Sequence, residues 1–119
     1  MTQAYFSLHE LPLEQVTEQF SRRTLVGQQE MAIWGSMRAG AHGDRHQHPH
    51  EQIFWILSGE LEFQVGAARK TCKAGDLILI HGGTEHEVWC SEDAEFLTLL
   101  APVREDLLPG AGVPQHFRR

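Results

Sequence analysis

The sequence predicts an all-β domain, a sandwich, jelly roll or small barrel, and three observations carry that expectation. From Leu25 onward, short apolar segments recur with glycines between them. No stretch holds a helical period for three turns, and the breaks carry turn chemistry. Many short strands at close spacing are the pattern of a closed or doubled sheet.

In chain order the expected strands are Leu25–Val26, Met31–Met37, Ile53–Leu57, Leu61–Val65, Arg69–Lys73, Leu77–Ile80, Glu87–Cys90 and Phe96–Ala101. Ser58-Gly59, Gly66-Ala67, Ala74-Gly75-Asp76 and Gly82-Gly83-Thr84 separate them, with glycine able to take positive φ without a Cβ clash. The strongest hairpin is Ile53–Leu57 turning at Ser58-Gly59 into Leu61–Val65. Side chains alternate along a strand, so Phe54 and Ile56 share one face while Ile53, Trp55 and Leu57 share the other. Both faces are apolar, which predicts cover on both sides. Before Leu25, Pro12–Phe20 is expected to make a short helix with Pro12 in its first turn. After Pro102, the residues Pro109, Gly110, Gly112 and Pro114 predict an irregular tail. The division is thus an extension over 1–24, a barrel over 25–101 and a tail over 102–119.

A chain of 119 residues has room for one core. Its 41% hydrophobic and 22% charged content fit neither a disordered chain nor a disulfide scaffold. The net charge of −6 argues against nucleic acid as a partner, since phosphate binding wants a basic face, and Arg22-Arg23 and Arg118-Arg119 are too short to supply one. No run approaches the roughly 18 apolar residues of a membrane span, and the first residues have no export signature. With only Cys72 and Cys90 present, a reduced cytoplasmic setting is expected. A small molecule, or a second copy of the chain, is the expected partner.

The eight histidines are the compositional anomaly. His46 and His48 lie two apart just before a strand, so an extended backbone points both imidazoles the same way, toward one ion. Alone, such a pair is weak. A second feature follows downstream: Gly75, a buried strand, the turn at Gly83 and then His86.

In these two segments the sequence resembles the cupin superfamily. The first cupin motif is matched by Gly40, His46, His48, Gln52 and Gly59, and the second by Gly75, Gly83 and His86. The resemblance implies a double-stranded β-helix, or jelly-roll barrel, holding one divalent metal ion through His46, His48, Gln52 and His86. Gln52 stands where the family usually has glutamate, His81 replaces a proline and Cys90 an asparagine. A neutral amide oxygen at Gln52 leaves the full charge on the ion and strengthens it as a Lewis acid. Glu51 is the competing ligand, disfavoured by its strand parity. Imidazole and oxygen ligands suit Zn, Ni, Fe, Mn, Co or Cu alike.

The other histidines have plainer readings. His50 is expected beside the ligands or at the surface, and His81 in a solvated turn; His42 and His116 have no evident partner. Cys90 is expected as a small buried hydrophobe. Trp34, Met37, Phe54, Phe63 and Arg104 are candidates for the pocket wall, with core packing favoured for Met37 and Phe63.

More specifically, residues 48–63 and the Ala101-Pro-Val-Arg104 stretch look like small pectin-degradation cupins that convert unsaturated uronates to ketonised sugars. That resemblance implies Arg104 as a catalytic and substrate-binding residue, pairing with a substrate carboxylate, while strand alternation adds Trp34 and Phe54 as substrate-binding candidates. It also places an aspartate where this chain has Thr98, which cannot exchange a proton at neutral pH in the same way. Three functions remain open: a metal-dependent enzyme on a small oxygenated substrate, by sugar-acid isomerisation or oxygen-dependent cleavage, a non-catalytic metal-containing sensor or binding module, and a barrel merely stiffened by its ion. The outward apolar side chains, Trp55 among them, predict a homodimer.

Overall fold

The computed structural model describes residues 3–111 and residue 116. The described residues form eight antiparallel strands: β1 (Glu14–Thr17), β2 (Phe20–Val26), β3 (Met31–Met37), β4 (His42–His46), β5 (Glu51–Val65), β6 (Ala68–Lys73), β7 (Leu77–Ile80) and β8 (His86–Ala101). All-β architecture is thus what the apolar segments predicted.

Two expectations about individual elements are corrected. Among the described residues, the only helix before β1 is a 3-10 turn at Leu8–Glu10, and the segment expected as a helix over Pro12–Phe20 contains β1 instead. Its apolar positions are too few to hold a helical face, and Glu14 and Gln15 find cross-strand partners in Arg22 and Ser21. Nor do Ile53–Leu57 and Leu61–Val65 form a hairpin. They are one continuous strand, β5, running beside β8 from Glu51↔Ala101 to Val65↔His86 with register shifts between Ile56 and Leu61. Gly59 is the corner. It takes φ 76°, and a Cβ there would lie 1.9 Å from the Asp93 carbonyl oxygen, so only glycine lets the two strands turn together at such close approach.

That corner divides the sheet into two facing layers that share β5 and β8. The first halves of β5 and the second half of β8 join β3, β2 and β1 on one side and β7 on the other. The remaining halves join β4 and β6. Between the layers lies the core, where Phe54 meets Phe63 at 5.0 Å and Phe96 at 5.3 Å between ring centroids. The expected alternation along β5 holds: Phe54 and Ile56 are buried, while Trp55 and Leu57 are exposed. A smaller cluster of Met31, Ile33, Leu100 and Leu107 carries the chain after β8 back onto the barrel.

Replacing Gly59 by Ala should therefore cost about 2 kcal/mol or more, from the disfavoured backbone and the clash together. Urea denaturation measures this, and an unchanged midpoint would contradict the corner assigned to Gly59.

Candidate metal centre

Three histidines from two distant stretches meet at one end of the barrel interior. His46 ends β4, His86 begins β8 directly opposite it, and His48 lies in the link to β5. Ring centroids are 4.2 Å apart for His46–His86, 4.9 Å for His48–His86 and 5.6 Å for His46–His48. One ligand atom from each falls within 4.8 Å of the others. The glycine-rich turn makes this possible. Gly83, at φ 82°, donates its N–H to the His48 carbonyl at 2.8 Å, and a Cβ on Gly82 would lie 2.3 Å from the Pro49 carbonyl oxygen.

Backbone carbonyls fix which nitrogen faces inward. The Nδ1–H of His46 donates to Asp44 at 2.8 Å, that of His48 to His50 at 3.1 Å, and that of His86 to Thr84 at 2.9 Å. A carbonyl only accepts, so each Nδ1 carries the proton and each Nε2 a lone pair. Burial holds His46 and His48 at a pKa of about 4, reinforced by the nearby positive charge of His86 and Arg104, and burial likewise lowers His86. At neutral pH all three are therefore neutral ligands.

The orientation of Gln52 follows from its neighbours. Thr98 donates its hydroxyl proton to the Ile53 carbonyl at 3.0 Å, so its oxygen accepts from Gln52 Nε2 at 3.0 Å. Oε1 of Gln52 then points at His48 Nε2, 3.1 Å away. Two acceptors face each other there, a repulsive contact unless a cation lies between them. His86 Nε2 is buried with no hydrogen-bond partner among the described residues. Such an orphaned lone pair is costly in a protein interior. The donor set thus fits a divalent ion, with soft-to-borderline imidazole nitrogens and one amide oxygen.

Arg104 lines the adjoining cavity with Gln52, Thr98, Phe54, Ile33 and Arg22. It is buried, and its guanidinium forms a two-pronged pair with Asp106 at 2.8 and 3.0 Å. Phe54, Met37 and Phe63 line the cavity as well as filling the core. Trp34 does not. It lies on the other face of β3, beneath the Arg23 guanidinium at 5.9 Å, and the inward neighbour Ile33 takes the place expected for it.

The remaining expectations sort cleanly. Glu51 is exposed and faces away, 3.7 Å from the equally exposed His81. The His50 carbonyl supports His48, and Cys90 is buried with its thiol toward the Glu92 carbonyl. His42 does have partners: Glu87 at 2.5 Å and the Trp89 ring, on which it stacks. Two polar cavity residues were not foreseen. Arg22, 1% exposed, was read as part of a surface pair because β2 was expected to start only at Leu25; alternation from Phe20 would have turned it inward. His116 stacks on His46 at 4.0 Å, and nothing in local sequence signals a contact across 70 residues.

A cupin-domain family match spans residues 34–101, more than half of the chain. The protein belongs to the cupin family. Its structure is similar to that of KdgF from Halomonas sp. (26% identity, TM-score 0.82, covering 88% of this chain and 100% of that one). An RmlC-like cupin from Shewanella frigidimarina matches with TM-score 0.84 at 23% identity, over 90% of this chain and 97% of that one. A predicted oxalate decarboxylase from Thermotoga maritima matches with TM-score 0.74 at 19% identity, over 84% and 100% respectively. No curated protein sequence matches the chain.

The depressed imidazoles set a pH dependence for the metal-free protein. Their folded values of about 4 lie below the ordinary 6.5, so between those limits the unfolded chain binds more protons than the folded one. Stability then rises with pH across that window and is lost as pH falls through it. Thermal melts of chelator-treated protein should show Tm dropping steadily from pH 6.5 toward 4; a flat profile would refute the inward, neutral assignment.

Proposed function

We propose that this cupin is a metal-dependent enzyme acting on a small sugar acid, with one divalent ion held by His46, His48, His86 and Gln52. The observation that carries the reading is that His46, His86, Gln52 and Arg104 line one cavity, with the His48 ligand atom within 4.8 Å of those of His46 and His86. When bound, the ion supplies Lewis-acid charge for polarising a carbonyl or enediol oxygen. Zn, Ni, Fe, Mn, Co and Cu all suit this donor set.

The chain's own residues do the rest. Arg104 offers a planar fork to a substrate carboxylate, which would exchange with the half-exposed Asp106 that occupies it now. Phe54 and Ile33 supply an apolar wall, and Gln52, being neutral, leaves the charge of the ion undiminished. Ketonisation of an unsaturated uronate is the reaction favoured by the resemblance of residues 48–63 and 101–104, and the likeness to KdgF agrees with it. Oxygen-dependent cleavage is the other reaction open to such a centre. One observation favours a second reading, a non-catalytic binding module. The Thr98 hydroxyl is committed at both ends, to Gln52 and to Ile53, and so moves no proton.

Loss of ultraviolet absorbance from an unsaturated uronate decides between them. The metal-loaded protein should consume it, and Arg104→Ala should lower kcat/KM by about 100-fold or more, as for loss of a charged bidentate contact. His86→Ala should weaken metal binding at least as much. Binding of the uronate without turnover would leave the binding module standing, and oxygen consumption would mark the oxidative reaction.

We also propose that the protein is a homodimer in a reducing, cytoplasmic setting. Trp55, Leu77, Leu79 and Leu99 are 40–67% exposed on adjacent strands, with Trp55 opposite Leu77 and Ile53 between Leu79 and Leu99. A contiguous apolar patch of this kind is normally covered. The thiols of Cys72 and Cys90 are buried and unlinked. Sedimentation should give a dimer at micromolar concentration and a shift to monomer for Trp55→Arg; a wild-type monomer would refute the dimer.

A further inference from the structure

The reading above gives Arg22 no task, although it lines the same cavity as His46, His86, Gln52 and Arg104. At 1% exposure it is more deeply buried than any of them. Alternation from Phe20 along β2 turns it inward. Its neighbour on β3 is Gly35, where a Cβ would lie 2.3 Å from the Phe96 ring, so that ring rests on bare backbone beside Arg22.

The charge of Arg22 is matched, but its donors are not. Nε donates to Glu14 Oε1 at 2.7 Å, and Nη2 donates to the same oxygen at 2.7 Å and to the Leu108 carbonyl at 3.5 Å. Glu14 is held in that position, because its other oxygen accepts the Gly110 N–H at 3.0 Å. A guanidinium carries five N–H donors in a fixed plane, and the two on Nη1 meet no acceptor among the described residues. Buried donors left without acceptors are costly, so whatever fills the cavity has to complete them.

The two arginines stand at different levels of the barrel. The Arg104 N–H meets Met31 Sδ at 3.3 Å, in the cross-strand row of Met31, Leu100 and Gln52. Arg22 belongs to the row of Gly35, Phe96 and Ile56, four residues along β3 and so about 13 Å of strand away. A ligand whose carboxylate is held by Arg104 therefore has its other end toward Arg22. A second anion there would be repelled by the Glu14 carboxylate already paired with that guanidinium, whereas a hydroxyl or carbonyl oxygen meets no such opposition.

We propose that Arg22 is a second substrate anchor, which donates from Nη1 to a neutral oxygen remote from the carboxylate and so selects a polyhydroxylated acid over a plain one. The inference rests on the sugar-acid reading above and names the part of the substrate that Arg22 recognises.

Two acids of one ring shape test it: D-galacturonate, and tetrahydropyran-2-carboxylate, which keeps the ring and carboxylate but has no hydroxyls. Each is titrated calorimetrically into full-length, Zn(II)-loaded protein. Wild type should prefer galacturonate, and Arg22→Met combined with Glu14→Gln, which leaves no unpaired carboxylate, should reduce that preference about tenfold or more, the scale of a hydrogen bond to a charged group. Affinity for the plain acid should change little. Arg104→Ala should instead weaken both acids alike. Arg22→Lys keeps a cation beside Glu14 but has no second terminal nitrogen; it should lose the preference too, and it serves if the double variant does not fold. If wild type binds both acids equally, or the variants keep the preference, or they lose both acids in equal measure, Arg22 is only an ion pair in the wall and the proposal is overturned, while the sugar-acid reading stands. Wild type that binds neither acid overturns that reading, and this inference with it.

Discussion

Three hydrogen bonds from imidazole Nδ1–H groups to backbone carbonyls are the constraint on which the site depends. Each joins a histidine to a residue two positions away, Asp44, His50 or Thr84, so the local backbone that places the ring also selects its tautomer. Without them, each ring would be free to turn its protonated nitrogen inward, and the pocket would attract anions instead of cations. Burial acts in the same direction by suppressing the charged form. The result is a set of lone pairs held facing one another at a distance that no hydrogen bond among them satisfies.

The polar residues around the centre are ordered by the same logic. Thr98 cannot donate to Gln52 because its proton is taken by the Ile53 carbonyl, and the amide has only one orientation left. Strand geometry therefore reaches the metal side of Gln52 through a single hydroxyl. Gln52, which stands where cupins usually have glutamate, and Thr98, which stands where the uronate-converting pattern has aspartate, are in contact, so neither substitution is independent of the other in its effect on the site.

Much of this was legible in the residues. Alternation in an extended segment placed His46 and His48 side by side, the glycine-flanked turn before His86 marked the second half of the site, and the burial of Phe54 and Ile56 against the exposure of Trp55 and Leu57 followed from a period of two. What failed did so for physical reasons. Ser58-Gly59 reads as a hairpin because positive φ serves turns and bulges alike; only the approach of Asp93 from β8 decides for a bulge. Trp34 was placed in the pocket although Met37, in the same strand, demands the opposite parity. The β2 residues before Leu25 are polar enough to hide a strand, and with them went Arg22. The contact of His116 with His46 joins residues 70 positions apart, which no local pattern encodes.

The shared strands β5 and β8 carry one more consequence. Gln52 and His86 sit at opposite ends of their common ladder, Gln52 opposite Leu100 and His86 opposite Val65, and they approach one point only because that ladder doubles back at its corner. An ion bound there would act as a rivet joining the two layers, stiffening against hydrogen exchange amides that lie far apart along the sheet. Metal uptake would then report on completion of the whole barrel, and a local opening at either layer would be enough to release the ion.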